Sequence, residues 1–355
     1  MHDKSLGENT VASGTTPPQS LGLRTRLKYV AERVRGFDGA SLLTRARAVA
    51  ATTHKPVVSV LCDMLYSAAF RHTAFQDYVD FDFALLTRAE RATFMTHSFS
   101  NHIADKFDHP DYRVLFHNKI EFNRTFGEFL GREWLDIRRA SAQDLREFAQ
   151  RHGRIIGKVP VSDSGHGVSR YEADEIDDWD AFLAELLRTG QTLVEENIQQ
   201  HPDLAVICPG TANTTRVTAF FDGSQSHILS MAQKFGRGQA SDQQTFGGFY
   251  TMLDDNGASR GPGYDSHDGV FATHPESGVS IPDFRLPMMP ELREFIDRVS
   301  RVVPQVQYVG WDIVIGPSGP VLVEGNWGAG VYENKPSVTG IRTGSLPRFR
   351  SVIGF

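Results

Sequence analysis

At 355 residues, 40% of them hydrophobic, the chain exceeds the roughly 100 to 200 residues usual for one domain, which predicts two or three subdomains sharing clefts. A formal net charge of −6 argues against a polyanion as the main partner, so no nucleic acid is expected. The two cysteines, Cys62 and Cys208, are far apart and outside any CxxC spacing, which excludes a disulfide framework or zinc site and fits a reducing cytoplasm.

Residues 1–20 are rich in Ser, Thr, Gly and Pro and carry no apolar run, so they predict a disordered tail and not a signal peptide. No segment approaches the roughly 18 apolar residues that a membrane span needs. Residues 21–115 predict a mainly helical N-terminal region. It opens with a basic amphipathic stretch, residues 21–51, that carries Arg24, Arg26, Lys28, Arg33, Arg35, Arg45 and Arg47. A solvated helix face is the plain reading of that stretch, and a membrane-surface or partner-docking role is the other.

Residues 142–151 predict a helix and 153–159 a short strand that runs into a loop with two glycines, Ser162-Asp163-Ser164-Gly165-His166-Gly167. A second helix, 177–188, opens with acidic residues suited to its positive end and stops at Gly190. Residues 192–196 predict a strand. Residues 214–221 and 227–234 flank Asp222-Gly223, a hairpin signal. The Gly-, Ser- and Asp-rich stretch 236–281 predicts strands and long loops around a site. Residues 290–303 predict an amphipathic helix with Leu292, Phe295, Ile296, Val299 and Val303 in the core. The last hairpin pairs 309–315 with 321–324 around Pro317-Ser318-Gly319-Pro320.

That hairpin holds the sharpest chemical signal. Asp312 and Glu324 sit in apolar strands, where a desolvated carboxylate without a partner costs several kcal/mol. Glu324 and Asn326 are two apart on a strand and share a face. Oxygen ligands of this kind suit a hard cation such as magnesium; the alternative is an Asp and a Glu that pair with buried arginines or cap loops. With a three-residue loop, Pro317-Ser318-Gly319, and Gly319 left-handed, Gly316 pairs with Pro320 and Asp312 falls opposite Glu324 on one face. A two-residue loop is expected to put them on opposite faces.

Lys158 ends a strand just before the glycine loop. Backbone amides of such a loop can wrap a phosphate, and a lysine adds a point charge; a solvated lysine and an ordinary turn are the other reading. No Walker A pattern occurs. The edge of strand 193–198 could present backbone groups to an adenine. Arg216, Lys234 and Arg237 lie on or near one hairpin and could grip polyphosphate or a carboxylate.

In chain order, Lys119, Lys158 with its glycine loop, Glu195-Glu196-Asn197-Ile198, Arg216, Asp312 and Glu324-x-Asn326 resemble the ATP-grasp superfamily. His117-Asn118-Lys119, Asn213-Thr214-Thr215-Arg216, Gly247-Gly248, His274-Pro275 and Val309-Gly310-Trp311-Asp312 resemble its sugar-transfer-associated branch. The likeness covers residues 70 to 335. It implies an α+β fold in which two α+β subdomains clasp ATP between antiparallel sheets. Residues 116–200 would carry the glycine-rich loop and 201–335 the metal site, followed by a C-terminal extension, 336–355.

By the same resemblance, Lys119 and Lys158 would contact the phosphates under a loop that includes Ser164, Gly165, His166 and Gly167. Glu195, Glu196 and the backbone near Ile198 would hold the adenine, and Asp203 the ribose. Asp312, Glu324 and Asn326 would bind Mg2+, and Arg216, Lys234 and Arg237 would be the catalytic cations. The chain departs from the pattern at Asp163 and His166 in the loop. It also lacks an Asp-Asn before the paired glycines, where Asp242-Gln243-Gln244-Thr245 stands. The implied activity is an ATP- and Mg2+-dependent cytoplasmic ligase, serving polysaccharide or secondary-metabolite biosynthesis, that activates a small-molecule carboxylate as an acyl phosphate for an amine or other nucleophile. The alternatives are a small-molecule or sugar kinase, and a non-catalytic nucleotide-binding protein of a surface-polysaccharide pathway.

Overall fold

The computed structural model describes residues 39–71, 73–162 and 165–354. The expected tail, the basic stretch up to residue 38 and the loop residues Asp163 and Ser164 lie outside the described residues. The chain divides into two compact units, one ending at Thr73 and the other beginning at Ala74. The first contains helices Gly39–Thr53 and Val57–Phe70. Leu42, Ala46, Val49 and Ala50 form a buried stripe on the former, with Arg47 exposed. Among the described residues no helix is long and apolar enough to cross a membrane.

The second unit carries two antiparallel sheets. The smaller has the order β1-β4-β2-β3, with β1 Trp134–Asp136, β2 Arg154–Lys158, β3 Val168–Glu172 and β4 Leu193–Glu196. Helix Ala142–His152 starts at a capping box of Ser141 with Asp144, and helix Trp179–Thr189 ends at Gly190. Their Leu145, Phe148 and Leu186 cluster with Ile155 and Val194. Because side chains alternate along a strand, burying Ile155 turns Ile156 and Lys158 to the opposite face. Strands β1 and β3 were not expected. The first is only three residues long, and the second interleaves Arg170 and Glu172 with Val168 and Tyr171, so neither has an apolar period to read.

The larger sheet has the order β11-β10-β5-β6-β7-β8-β9. Its strands are β5 Thr215–Phe221, β6 Ser226–Phe235, β7 Phe249–Leu253, β8 Gly263–Tyr264, β9 Val270–Phe271, β10 Tyr308–Gly316 and β11 Gly319–Trp327. Helix Met289–Ser300 packs Leu292, Phe295, Ile296 and Val299 into one core with Val217, Ile313, Ile315 and Leu322. The opposite face carries Arg216 and Asp312, which are cross-strand partners. An α+β unit built on two antiparallel sheets is the expected architecture.

The last hairpin reaches its expected pairing by another route. Gly316 pairs with Gly319, so the loop is the two residues Pro317 and Ser318, with Gly319 at φ 140°. The expected three-residue loop is corrected. Ile313 then pairs with Leu322 and Asp312 with Glu324, leaving Val323 as the extra residue of a β-bulge. The bulge cancels the shift that the shorter turn introduces. It also selects the side chains: Leu322 is fully buried in the core, while Val323 faces the cleft beside Glu324. A regular register after a three-residue turn would have exchanged the two.

Gly325 separates Glu324 from Asn326 and faces Trp311 across the hairpin. A Cβ there would lie 2.8 Å from the Trp311 ring and 3.1 Å from Phe116. Gly325→Ala is expected to destabilise the protein by about 1–3 kcal/mol, read by chemical denaturation.

Buried Glu333 accepts from Met95 N at 2.8 Å, Ser345 N at 2.9 Å and Ser345 Oγ at 2.6 Å, tying three chain segments together. Burial pushes its carboxyl up to about 7 against these hydrogen bonds, and burial likewise raises Asp108 to about 7. A raised carboxyl binds its proton more tightly in the folded state. Its stabilisation is therefore complete below the ordinary 4.5 and is lost as pH rises through about 7. Glu333→Gln is expected to reduce the fall in denaturant stability across that window, with Asp108 supplying the remainder.

Candidate active site

A cleft of about 900 Å³, counting the space open at its mouth, is lined by Ile156, Lys158 and Arg170 from the smaller sheet and by Lys234, Asp312, Val323 and Glu324 from the larger. Its size falls in the range of small-molecule sites. Helix Lys119–Thr125 starts at Asn118, whose Oδ1 accepts from Ile120 N at 2.9 Å, and this places Lys119 in the cleft wall. Lys119 Nζ donates to Ser162 O at 2.5 Å.

At one end Lys158 Nζ lies 2.5 Å from Glu195 Oε2. The two are diagonal neighbours, since Lys158 pairs with Leu193 and Ile156 with Glu195. Glu195 also accepts from Arg132 Nε at 2.9 Å, Arg132 Nη2 at 3.0 Å and Asn123 Nδ2 at 2.8 Å. Burial alone would raise this carboxyl, but the charges of Arg132 and Lys158 hold it well below the usual range. Arg132 in turn donates to Leu322 O at 2.6 Å and Val323 O at 3.3 Å, the carbonyls beside the bulge.

At the other end Asp312, 1% exposed, takes Arg216 in a bidentate pair, with Nε–Oδ1 and Nη2–Oδ2 both 2.8 Å. Lys234 Nζ stands 3.3 Å from Asp312 and 3.4 Å from Asp242. Burial opposes ionisation of Asp312, yet Arg216 and Lys234 keep its carboxyl far below the ordinary value. Lys234 is raised by Asp242 and Asp312 against its own burial. Asp242 is fixed by the Thr214 backbone N–H at 2.8 Å and hydroxyl at 2.5 Å. Asn326 Nδ2 lies 3.4 Å from Glu324 Oε1 and 3.5 Å from Asp312 Oδ2. Asp312, Glu324 and Asn326 thus converge, as the register argument required, while Asp312 also realises the alternative of pairing with a buried arginine. Two carboxylates and one amide, which offers its oxygen after a half-turn, fit a hard cation that keeps most of its own ligands.

The remaining expected residues divide. Glu196 and Ile198 line the cleft, and Glu196 Oε2 accepts from Glu133 N at 3.0 Å. Gly165 lines it at φ 76°, where a Cβ would meet Ser241 Oγ at 2.7 Å, so the glycine loop lies against the 241–246 loop. His166 and Gly167 are both exposed and neither lines the cleft; the Gly167 carbonyl accepts from Val159 N at 3.0 Å. Arg216 stands behind the lining, at the back of Asp312. Two more of the expected residues are not among those lining the cleft. Asp203 is 68% exposed on the short helix Pro202–Ala205, which turns it to solvent and away from the cleft. Arg237, two residues beyond the end of β6, is drawn outside by Glu276 at 2.7 Å. Sequence reasoning missed Arg132, Asn123 and Arg170. A charge placed one residue after the buried Phe129 and Leu130, beyond Gly131, was the available signal for Arg132.

Residues 181–341 match the family of sugar-transfer associated ATP-grasp proteins. The matched span holds Asn213 to Arg216, Gly247-Gly248, His274-Pro275 and Val309 to Asp312, the motifs on which the resemblance to that branch rests. No curated protein matches the chain. Among solved structures it is similar to D-alanyl-alanine synthetase A of Vibrio cholerae, at 12% identity and a TM-score of 0.40 over 69% of this chain and 63% of that one. It is also similar to D-cycloserine synthetase DcsG, at 13% identity and 0.43 over 79% and 81%. A third similarity is to the ATP-grasp ligase PsnB complexed with a minimal precursor, at 14% and 0.37 over 63% and 55%. The chain thus spans less than two thirds of the length of the first and third of these proteins.

Removing the Glu195 charge strands Arg132 and Lys158 in a buried position. Glu195→Gln is expected to lower stability by about 3–5 kcal/mol, measured by urea unfolding.

Proposed function

We propose that the protein is an ATP- and magnesium-dependent ligase that activates a small-molecule carboxylate as an acyl phosphate and passes the acyl group to an amine or other nucleophile. The observation that carries this reading is the polarity of one cleft. Lysines 119 and 158 stand at one end, and the carboxylates of Asp312 and Glu324 converge with the Asn326 side-chain amide at the other. A polyphosphate lying along it meets cationic side chains and, through magnesium, the acidic ones.

Lys158 holds a phosphate oxygen, with its ammonium aimed by Glu195. The backbone of 196–198 and the side chains of Ile156 and Val323 form the walls for the base. Magnesium held by Asp312, Glu324 and Asn326 would neutralise phosphate charge. Arg216 and Lys234 act mainly by fixing Asp312, since their donors are already engaged there. The substrate carboxylate oxygen attacks the γ-phosphorus and ADP leaves; the nucleophile then attacks the acyl carbon and phosphate leaves. Positioning and charge neutralisation supply most of the rate.

With the cognate acid, ADP and phosphate should appear only when the acceptor is present. A stable phosphorylated product without an acceptor would favour a kinase. Glu324→Gln is expected to cut magnesium-dependent ATP turnover at least about a hundredfold with no loss of thermal stability in the absence of metal. Turnover at the original rate would remove Glu324 from the metal set.

A further inference from the structure

The helix Val57–Phe70 of the first unit turns Val60, Met64 and Ser67 inward. A helix with one buried side ordinarily carries charge on the other. Here the outer side continues apolar at helical spacing. Val58 is 71% exposed, Tyr66 48% and Phe70 39%, with half-buried Leu61 and Leu65 between them. Asp63 is the only charged residue in the helix. A contiguous apolar stripe of this kind, left to solvent, marks a docking surface.

The charges lie at the two ends of the stripe. Lys55 precedes the helix and Arg71 follows it, and the fourteen residues between the ends span about 21 Å. The Arg71 guanidinium lies 4.9 Å from the centroid of the Tyr66 ring, and the Tyr66 and Phe70 rings are 4.9 Å apart. A cation over an aromatic ring at the end of an apolar stripe suits the level of lipid headgroups, where hydrocarbon lies on one side and phosphate on the other. With Arg45 and Arg47 on the preceding helix, the described part of this unit sets four Lys and Arg residues against Asp63 alone. In sequence, residues 21–38 add five basic residues against Glu32 and Asp38. The chain as a whole carries −6, so this excess is local and opposite in sign to the rest.

We propose that the helix Val57–Phe70 docks on the surface of an anionic lipid bilayer, with its stripe at the boundary of headgroups and acyl chains and Lys55 and Arg71 on lipid phosphates. A uniform negative plane over an apolar interior meets the stripe and the cations at both of its ends together. A second copy of this chain does not: antiparallel pairing would set Lys55 against Arg71, and parallel pairing would set each against its like. At fourteen residues the helix is too short to span, so the attachment lies in the plane of the surface and is reversible. The inference concerns where the protein works and does not rest on the ligase reading.

The test floats the full chain with vesicles of pure phosphatidylcholine and with vesicles of phosphatidylcholine and phosphatidylglycerol in equal parts. Binding to the anionic vesicles should be at least about tenfold tighter and should weaken as salt is raised. Lys55→Gln combined with Arg71→Gln should cut that margin severalfold. Val58→Glu combined with Tyr66→Glu should abolish flotation with both vesicle types; both positions are exposed, so the fold is retained, and an unchanged denaturation midpoint checks it. Equal binding to the two vesicle types, or flotation unaffected by the Val58→Glu and Tyr66→Glu pair, overturns the proposal. Absence of flotation overturns it as well and leaves the stripe to a protein, which is a second copy if sedimentation shows a dimer that Val58→Glu dissolves.

Discussion

The structure of the site depends on one guanidinium. Arg132, with its side chain 1% exposed, reaches from just before β1 to Glu195 in the smaller sheet and to the Leu322 and Val323 carbonyls in the larger. A buried charge is tolerated only where its hydrogen bonds are complete, and Arg132 completes them by joining the two sheets. The same contacts satisfy carbonyls beside the bulge and aim Lys158 through a shared carboxylate. The lysine end and the acidic end of the cleft are therefore held in register by a single side chain that stands outside the lining of both.

The acidic end follows the same logic of compensation. Asp312, Asp242 and Glu324 stand against Arg216 and Lys234, so the cluster keeps an excess of one negative charge in a buried setting. Pre-pairing with Arg216 and Lys234 lets Asp312 remain ionised without a metal cation. It also limits how many oxygens are free to turn toward one, which is why a site with few protein ligands fits better than an all-protein cage.

Much of this was legible in the sequence. Helices at 142–152 and 289–300 and the strands of both hairpins followed from period and caps, and the apolar setting of Asp312 and Glu324 marked the site. What stayed hidden was long-range. The partners of Glu195 lie 72 and 63 residues before it, and no local pattern joins them. Asp203 and Arg237 were placed by motif order, but their directions depend on a helix turn and on Glu276, which sequence spacing does not report. The hairpin register was reached by counting, and the count held only because two opposite irregularities cancel.

That cancellation bears on how such a protein can vary. In β11, drawing Gly319 into the turn and flattening the bulge at Val323 are each disruptive alone, since either slides Glu324 out of line with Asp312. Together they leave the acidic pair opposed while exchanging which aliphatic side chain reaches the core. A chain of the same length with a three-residue turn and a flat strand would keep the acidic pair, so the turn and the bulge can change only together. A register counted without the bulge would misassign which of Leu322 and Val323 stands beside the acidic pair.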